Sequence, residues 1–333
     1  MLLFKTISQF AKNATKLFLI LVSAVCLSNF FATSVSYLIG EAIYSLNITL
    51  ELTQFHGHLA PAWNWQVPKL CPNDLAMGAA LILSVVCGIW RPDLAKTISG
   101  FFDHIVRRFI RVLLWLVPFF LIGFVLKMLH ERTLQNLFVK YFYVLLIVIC
   151  AQVLYIGLLL LVANRMQWRK AFGQIRNIFP AALAGFGSMS SAAAMPLTIV
   201  AAEKNTELPG FARFVIPLTV NIHLLGDCLA IPILAFAIMK HFGFCDPSIM
   251  DYMLFAFYFV IAKFSVAAVP GGGILVMLPI LEAYLGFTTE MGALITALYI
   301  LFDPIITCAN VCGNSAFAVM LQRLLGRKKY LEA

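Results

Sequence analysis

The chain has 333 residues, of which 62% are hydrophobic and 12% charged, and its mean hydropathy is +0.93. A soluble core of that length cannot hide so much apolar surface, so the composition excludes a water-soluble domain and implies a lipid bilayer as solvent. The net charge of +9 does not point to nucleic acid, because the Lys and Arg residues sit in short connectors between apolar runs rather than on a basic, aromatic-interleaved surface.

In chain order, the first expected span covers about residues 17–40, framed by Lys16 and Glu41. It is too long for a cleavable signal peptide and lacks a small-residue cleavage end. Residues 41–90 are less regular, with Pro and Trp in "HGHLAPAWNWQVPKLCPND", and read as a broken or interfacial element. A basic amphipathic start, "DHIVRRFIRVLLW", leads into a span ending near Lys127, and a charge-free span runs from Tyr141 to Asn164.

Connector charge sets the expected sidedness. Arg165, Arg169, Lys170 and Arg176, and in the tail Arg323, Arg327, Lys328 and Lys329, mark cytoplasmic positions and a cytoplasmic C-terminus. The connectors at 240–252 and 282–290 hold Lys240 as their only Lys or Arg and belong outside. Between the basic connector at 165–176 and a second one holding Lys204 and Arg213 lies "GFGSMSSAAAMPLT", residues 185–198, a run of small and hydroxyl-bearing residues. Two flanks of the same sign require this segment to return to its own side, as a re-entrant hairpin at about 180–202. A second interrupted segment, "KFSVAAVPGGGILVMLPIL" from Lys263, does the same from the opposite face at about 263–281, because Pro270 and Gly271 to Gly273 cannot continue a helix. Irregular backbone at membrane depth faces protein or a polar cavity, and a pair of such segments is the sequence pointer to a secondary transporter's binding site.

Ionisable residues inside the apolar blocks sharpen that reading. An Asp at the bilayer centre costs about 2.5–3.5 kcal/mol on insertion scales, so Asp227 and Asp303 require a partner or a function. Thr307 and Asn310 share a polar helix face with Asp303 at one- and two-turn spacing. Small residues such as Ser190 and Ser191 also serve helix packing. The eight cysteines contain no CxxC pair. Cys308 and Cys312 share a face, but no His or third Cys lies near them, and neither a metal site nor a cofactor is expected.

The serine segment, "VIPLTVNIHLLGD", "VPGGG" and "FDPIITCANVCGN", in this order, resemble the dicarboxylate/amino acid:cation symporter family over about residues 165–325. The resemblance implies an all-α, multi-span membrane protein with two re-entrant hairpins and an elevator-type mechanism. Residues 1–164 would form scaffold-like helices, with the family's first two apparently absent. Residues 165–325 would form the transport core, and 326–333 a basic tail. It further implies a homotrimer in the plasma (inner) membrane and no enzymatic activity. The substrate-binding set it implies is Ser190, Ser191, Asp227, Asp303, Thr307 and Asn310, with Asp303 on the substrate's ammonium group. The backbone at Val269, Pro270 and Gly271 would close over the ligand.

The departures from the family pattern set the expected specificity. Ile306 and Met189 stand where dicarboxylate carriers have a substrate-binding arginine, so a second carboxylate would lack its bidentate partner and a small neutral amino acid is expected. Two sodium-ligating aspartates are replaced by Leu225 and Asn314, which removes the anionic ligands a dry Na+ site needs. The ion-coupling residues expected instead are His223, Asp227, Lys263, Asn310 and Asn314, with H+ favoured over Na+. His223 and Asp227 form either a proton site or a static hydrogen bond, and Lys263 either stands in for a bound cation or reaches for the outer interface. Three alternatives remain open: a carrier of cationic amino acids, suggested by Asp227, a carrier of other organic anions, and a non-transporting receptor or channel of the same fold. An intramembrane protease is disfavoured because no G-x-S-x-G or G-x-G-D pattern is present.

Overall fold

In the computed structural model the described residues are 14–45, 133–208, 210–266 and 271–325, with the isolated positions 108, 115, 119, 122, 123 and 126. The chain divides into two compact units, Met1–Glu51 with Phe142–Ala333, and Leu52–Tyr141. The packing described below belongs to the first. The expectations for residues 46–130, for Val269 and Pro270, and for the tail at 326–333 lie outside the described residues or touch them only at isolated positions.

The described regular structure is helical throughout. Nine α-helices follow one another among these residues: α1 Ala14–Ser45, α2 Thr133–Ala163, α3 Trp168–Ser188, α4 Ser191–Asn205, α5 Phe211–Thr219, α6 Leu225–His241, α7 Ile249–Ala262, α8 Gly272–Leu285 and α9 Thr289–Leu325. A single 3-10 turn, Lys263–Ser265, follows α7. Among the described residues three segments, Phe18–Ser45, Tyr141–Ala163 and Thr289–Leu325, are long and apolar enough to cross a membrane.

The serine segment is a helix break between antiparallel partners. α3 ends at Met189, in the left-handed region at φ 50°, and Ser190 starts α4 from an extended conformation. A non-glycine residue held there costs roughly 1–2 kcal/mol, which the hydrogen bonds around the crest offset. The first arm starts earlier than the 180 expected, at Trp168, so most of the basic connector is helix. The reason lies in Trp168, Phe172, Ile175 and Phe179, a helically spaced apolar stripe exposed at the surface. The second hairpin pairs α7 with α8, so the segment expected at 263–281 covers its crest and second arm.

α9 is the packing partner common to α3, α4, α5, α6 and α8. Its crossing with α6 uses small residues from both sides. A Cβ at Gly226 would run into the Ile306 carbonyl and lie 3.1 Å from the Ala309 Cβ, and one at Gly313 would lie 3.0 Å from Leu225 Cδ1. Without side chains at these two positions the helix backbones approach closely, which in a bilayer is a main source of association energy. Gly226→Val is therefore expected to lower the thermal midpoint of the detergent-purified protein by the equivalent of about 1–3 kcal/mol of overpacking. Gly187→Ala, where nothing lies within 4 Å, should leave the midpoint unchanged or slightly raised.

Candidate functional site

The site is built along one face of α9, on which Asp303, Thr307, Asn310 and Asn314 succeed one another at intervals of three to four residues, all buried. Each member is met by a different part of the chain. Asp303 Oδ2 accepts the Gly271 backbone N–H at 2.9 Å and its Oδ1 accepts the Thr307 hydroxyl at 3.0 Å. Gly271 takes φ +71° as it starts α8, so the carboxylate caps the second arm of hairpin two. Pro304 follows directly and cannot donate to the Ile300 carbonyl, which loosens the helical ladder beside the site.

At the next turns α9 meets α3 and α6. A Cβ at Gly185 of α3 would lie 3.4 Å from the Thr307 carbonyl, so hairpin one lies against α9 there. Asn310 Oδ1 accepts the backbone N–H groups of Gly226 (2.8 Å) and Asp227 (3.4 Å) at the start of α6, and its Nδ2 donates to Asp227 Oδ1 at 3.0 Å. One amide thus caps a helix and holds that helix's first-turn acid.

Asp227 is the most heavily engaged group. Lys263 Nζ stands 2.8 Å from its Oδ2, and the Tyr299 hydroxyl donates to Oδ1 at 3.1 Å. The side chains of Lys263 and Asp227 are 0% and 2% exposed. The position of Asp227 in the first turn of α6 adds the favourable end of the helix dipole. Phe259 presents its ring to Lys263 Nζ at 4.6 Å. Of the two expectations for Lys263, outer-interface snorkelling is thus excluded by complete burial. Hairpin two can approach α6 this closely because residue 273 is glycine: a Cβ there would strike the Tyr299 hydroxyl and lie 2.6 Å from Asp227 Oδ2.

His223 corrects the sequence reading. The expected bond to Asp227 assumed a continuous helix, but α6 starts only at Leu225 and His223 lies in the turn before it. Its Nε2 lies 3.0 Å from Ser28 Oγ, its ring packs at 4.2 Å from that of Phe317, and its carbonyl accepts the Asn314 amide at 3.1 Å. Among the described residues, His223 Nδ1, Asn314 Oδ1, Asn29 Oδ1 and Ser315 Oγ find no partner at hydrogen-bond geometry. Asn29 Nδ2 donates to the Ile222 carbonyl at 2.7 Å, which ties its orphaned oxygen to the same turn. Ser190 serves as N-cap of α4, accepting from Ala193 N at 3.2 Å, and Ser191 is buried beside it.

Seven contributing residues do not stand out in the sequence by itself. Ser28, Asn29, Thr33 and Ser36 form a buried polar stripe on α1, and Tyr252 donates to the Thr33 carbonyl while sharing a hydrogen bond with Ser36. Their spacing inside an apolar run was a legible signal. Gln152 donates to the Gly226 carbonyl at 3.1 Å and was visible as the one amide within the charge-free span. Tyr299 lies one helical turn before Asp303, and nothing local marks it as a partner of Asp227. Ile306 and Gly226 pack against each other where α6 crosses α9. No cluster of three or more His, Cys, Asp or Glu residues that could hold a metal occurs among the described residues.

Long apolar helices, two broken hairpins and a polar helix face with buried charge define an integral membrane protein organised around a polar centre. The model of the sodium:dicarboxylate symporter family matches residues 1–324, and the chain belongs to that family. It is 27% identical to the human excitatory amino acid transporter 2 over 240 residues, 70% of this chain and 41% of the relative. Against the Rattus norvegicus excitatory amino acid transporter 1 the identity is 25% over 301 residues, 86% and 53% respectively. An excitatory amino acid transporter of Onchocerca volvulus is 30% identical over 142 residues, 42% and 28%. The chain spans about half the length of the curated relatives it matches.

Removing one partner of a buried ion pair leaves the other charged in a dry site. Lys263→Met is therefore expected to cost about 3–5 kcal/mol, read as a loss of thermal midpoint in detergent. Adding Asp227→Asn to that variant should recover most of the loss. A double variant no more stable than Lys263→Met would show that the two groups are not energetically coupled.

Proposed function

We propose that the chain is a secondary transporter of small neutral amino acids, working by alternating access of the elevator type, with a resident lysine cation where a carrier of this family would bind Na+. On this reading it is a homotrimer in the plasma membrane with its C-terminus in the cytoplasm. The observation that carries the proposal is the buried pair Lys263–Asp227. An ammonium group already neutralises Asp227, so a second monovalent cation beside that carboxylate would meet repulsion.

The substrate class is supported by the relatives, which bear the names of amino acid transporters. Each oxygen of Asp303 accepts one described hydrogen bond and retains lone-pair capacity for an ammonium group. Ile306 is fully buried and apolar and Met189 forms the crest of hairpin one, so neither supplies the guanidinium a second carboxylate needs. Lys263 also satisfies Asp227, which takes away the anion a cationic side chain would seek.

A proton is the coupling ion on this reading, and His223 is the group that gains it. Protonation of His223 would leave the Lys263–Asp227 pair intact, whereas Asp227 would have to give up Lys263. A second reading rests on the orphaned oxygens of Asn29 and Asn314 near the same turn, which supply neutral ligands for a water or a cation.

Proteoliposome uptake tests these statements. Asp303→Asn should abolish saturable uptake while leaving expression and oligomeric state intact, and near-normal uptake would remove the substrate assignment. Wild-type uptake should persist with choline in place of Na+ and should rise with an imposed pH gradient. His223→Gln should weaken that pH response more than it weakens substrate binding. A steep Na+ dependence of binding would overturn the resident-cation proposal in favour of the neutral-oxygen site. Tight aspartate binding would overturn the neutral specificity, and conductance without saturable, temperature-sensitive uptake would indicate a channel.

A further inference from the structure

At the end of hairpin one away from its crest, a cavity of about 480 Å3 opens between the start of α3, the end of α4 and the end of α9. From Ser191 to Asn205 α4 rises roughly 20 Å, so this cavity is remote from Asp303 and from the hairpin crest. Four of its lining side chains, Lys170, Arg176, Lys204 and Arg323, are cationic, against one carboxylate, Glu207. Among the described residues the ion pairs are Arg213–Glu203 and Lys263–Asp227, and neither involves any of these four cations.

The remaining lining is a fixed amide framework. Asn164 Nδ2 donates to Gln174 Oε1 at 2.6 Å, Asn177 Nδ2 to Asn205 Oδ1 at 2.8 Å, and Asn205 Nδ2 to the Gln174 carbonyl at 3.1 Å. Asn164, 1% exposed, also receives Arg323 Nη2 on its Oδ1 at 2.9 Å, which fixes the guanidinium at the cavity wall. Positive-inside topology accounts for basic residues near this end of the helices. It does not account for their convergence on one concavity whose floor is an amide network anchored by the buried Asn164 and Asn205. On α3 the lining residues Lys170, Gly173, Gln174 and Asn177 recur at helical spacing on the side opposite the exposed apolar stripe of Trp168, Phe172, Ile175 and Phe179. The cavity therefore faces away from the surface of α3 suited to lipid tails.

We infer that this cavity is a binding site for a phosphate-bearing anion, independent of the transport site. Its volume lies in the range of small-ligand pockets. Convergent cations in a concave site focus potential on an anion, and a guanidinium held on one side keeps its other N–H groups for charge-assisted bonds to phosphate oxygens. A soluble phosphate compound and an anionic lipid headgroup offer the same chemistry.

The full chain in neutral detergent tests the inference, with inorganic pyrophosphate as potassium salt and phosphatidylglycerol as separate probes, and phosphatidylcholine as the uncharged comparison. Near-saturating probe should raise the thermal midpoint by about 5 °C. The combined Lys170→Gln, Arg176→Gln and Lys204→Gln variant should lose that rise. Lys204→Gln alone should reduce it, which keeps the test decisive if the combined variant fails to fold. Arg169→Gln, on the same helix but outside the cavity, should keep it. A rise with pyrophosphate assigns a soluble anion, and a rise with phosphatidylglycerol alone assigns a lipid headgroup. No rise with either probe, or a rise unchanged by Lys204→Gln and by the combined variant, overturns the site. None of these readouts depends on transport, so the result stands apart from the transport proposal.

Discussion

The arrangement at the polar centre depends on one requirement: a carboxylate and an ammonium group that are both out of water must face each other. Lys263 comes from the turn after α7 and Asp227 from the start of α6, so their 2.8 Å contact draws the crest of hairpin two onto α6. In a low-dielectric interior the desolvation cost of two charges is met only when the geometry is good and the remaining lone pairs are used. Tyr299, Asn310 and the α6 N-terminus meet the second condition, and Gly273 makes the approach sterically feasible. Four separate elements are thus committed to a single carboxylate.

Asp303 plays the complementary part on the other side of the crest. By accepting the Gly271 N–H it fixes the start of α8, so hairpin two is held before its tip by a charge pair and after it by a backbone bond. Both anchors end on groups of the α6–α9 centre. Under the proposed function, a ligand at Asp303 would share the carboxylate that holds the Gly271 N–H.

The polar face of α9 works as a spine because α9 packs on most of the other described helices and its small residues allow close crossing. Asn310 illustrates the economy: its side-chain amide caps α6 and holds Asp227, and its backbone carbonyl accepts the Asn314 Nδ2. The cluster of orphaned polar atoms around the His223 turn is where this network is incompletely satisfied. Buried polar atoms left without partners are costly, and under the proposed function these are the atoms that would meet a water, proton or ion.

Much of this was written in local sequence. The bilayer environment follows from composition, the two hairpins from Ser-rich and Pro/Gly-rich breaks in apolar runs, and the shared face of Asp303, Thr307 and Asn310 from helical periodicity, because each of these depends only on residues close along the chain. Periodicity failed where a helix began two residues later than assumed: His223 then lay in a turn and faced Ser28 instead of Asp227. Lys263 and Asp227, 36 residues apart, were both recognised as anomalous charges, and their partnership was not legible. Which anomalous groups meet is decided by which helix faces pack together, and that is set by close-approach glycines, cap geometry and buried-charge energetics acting between distant segments. The sequence determined that charges must be satisfied inside the membrane, and the tertiary structure alone decided that they satisfy each other.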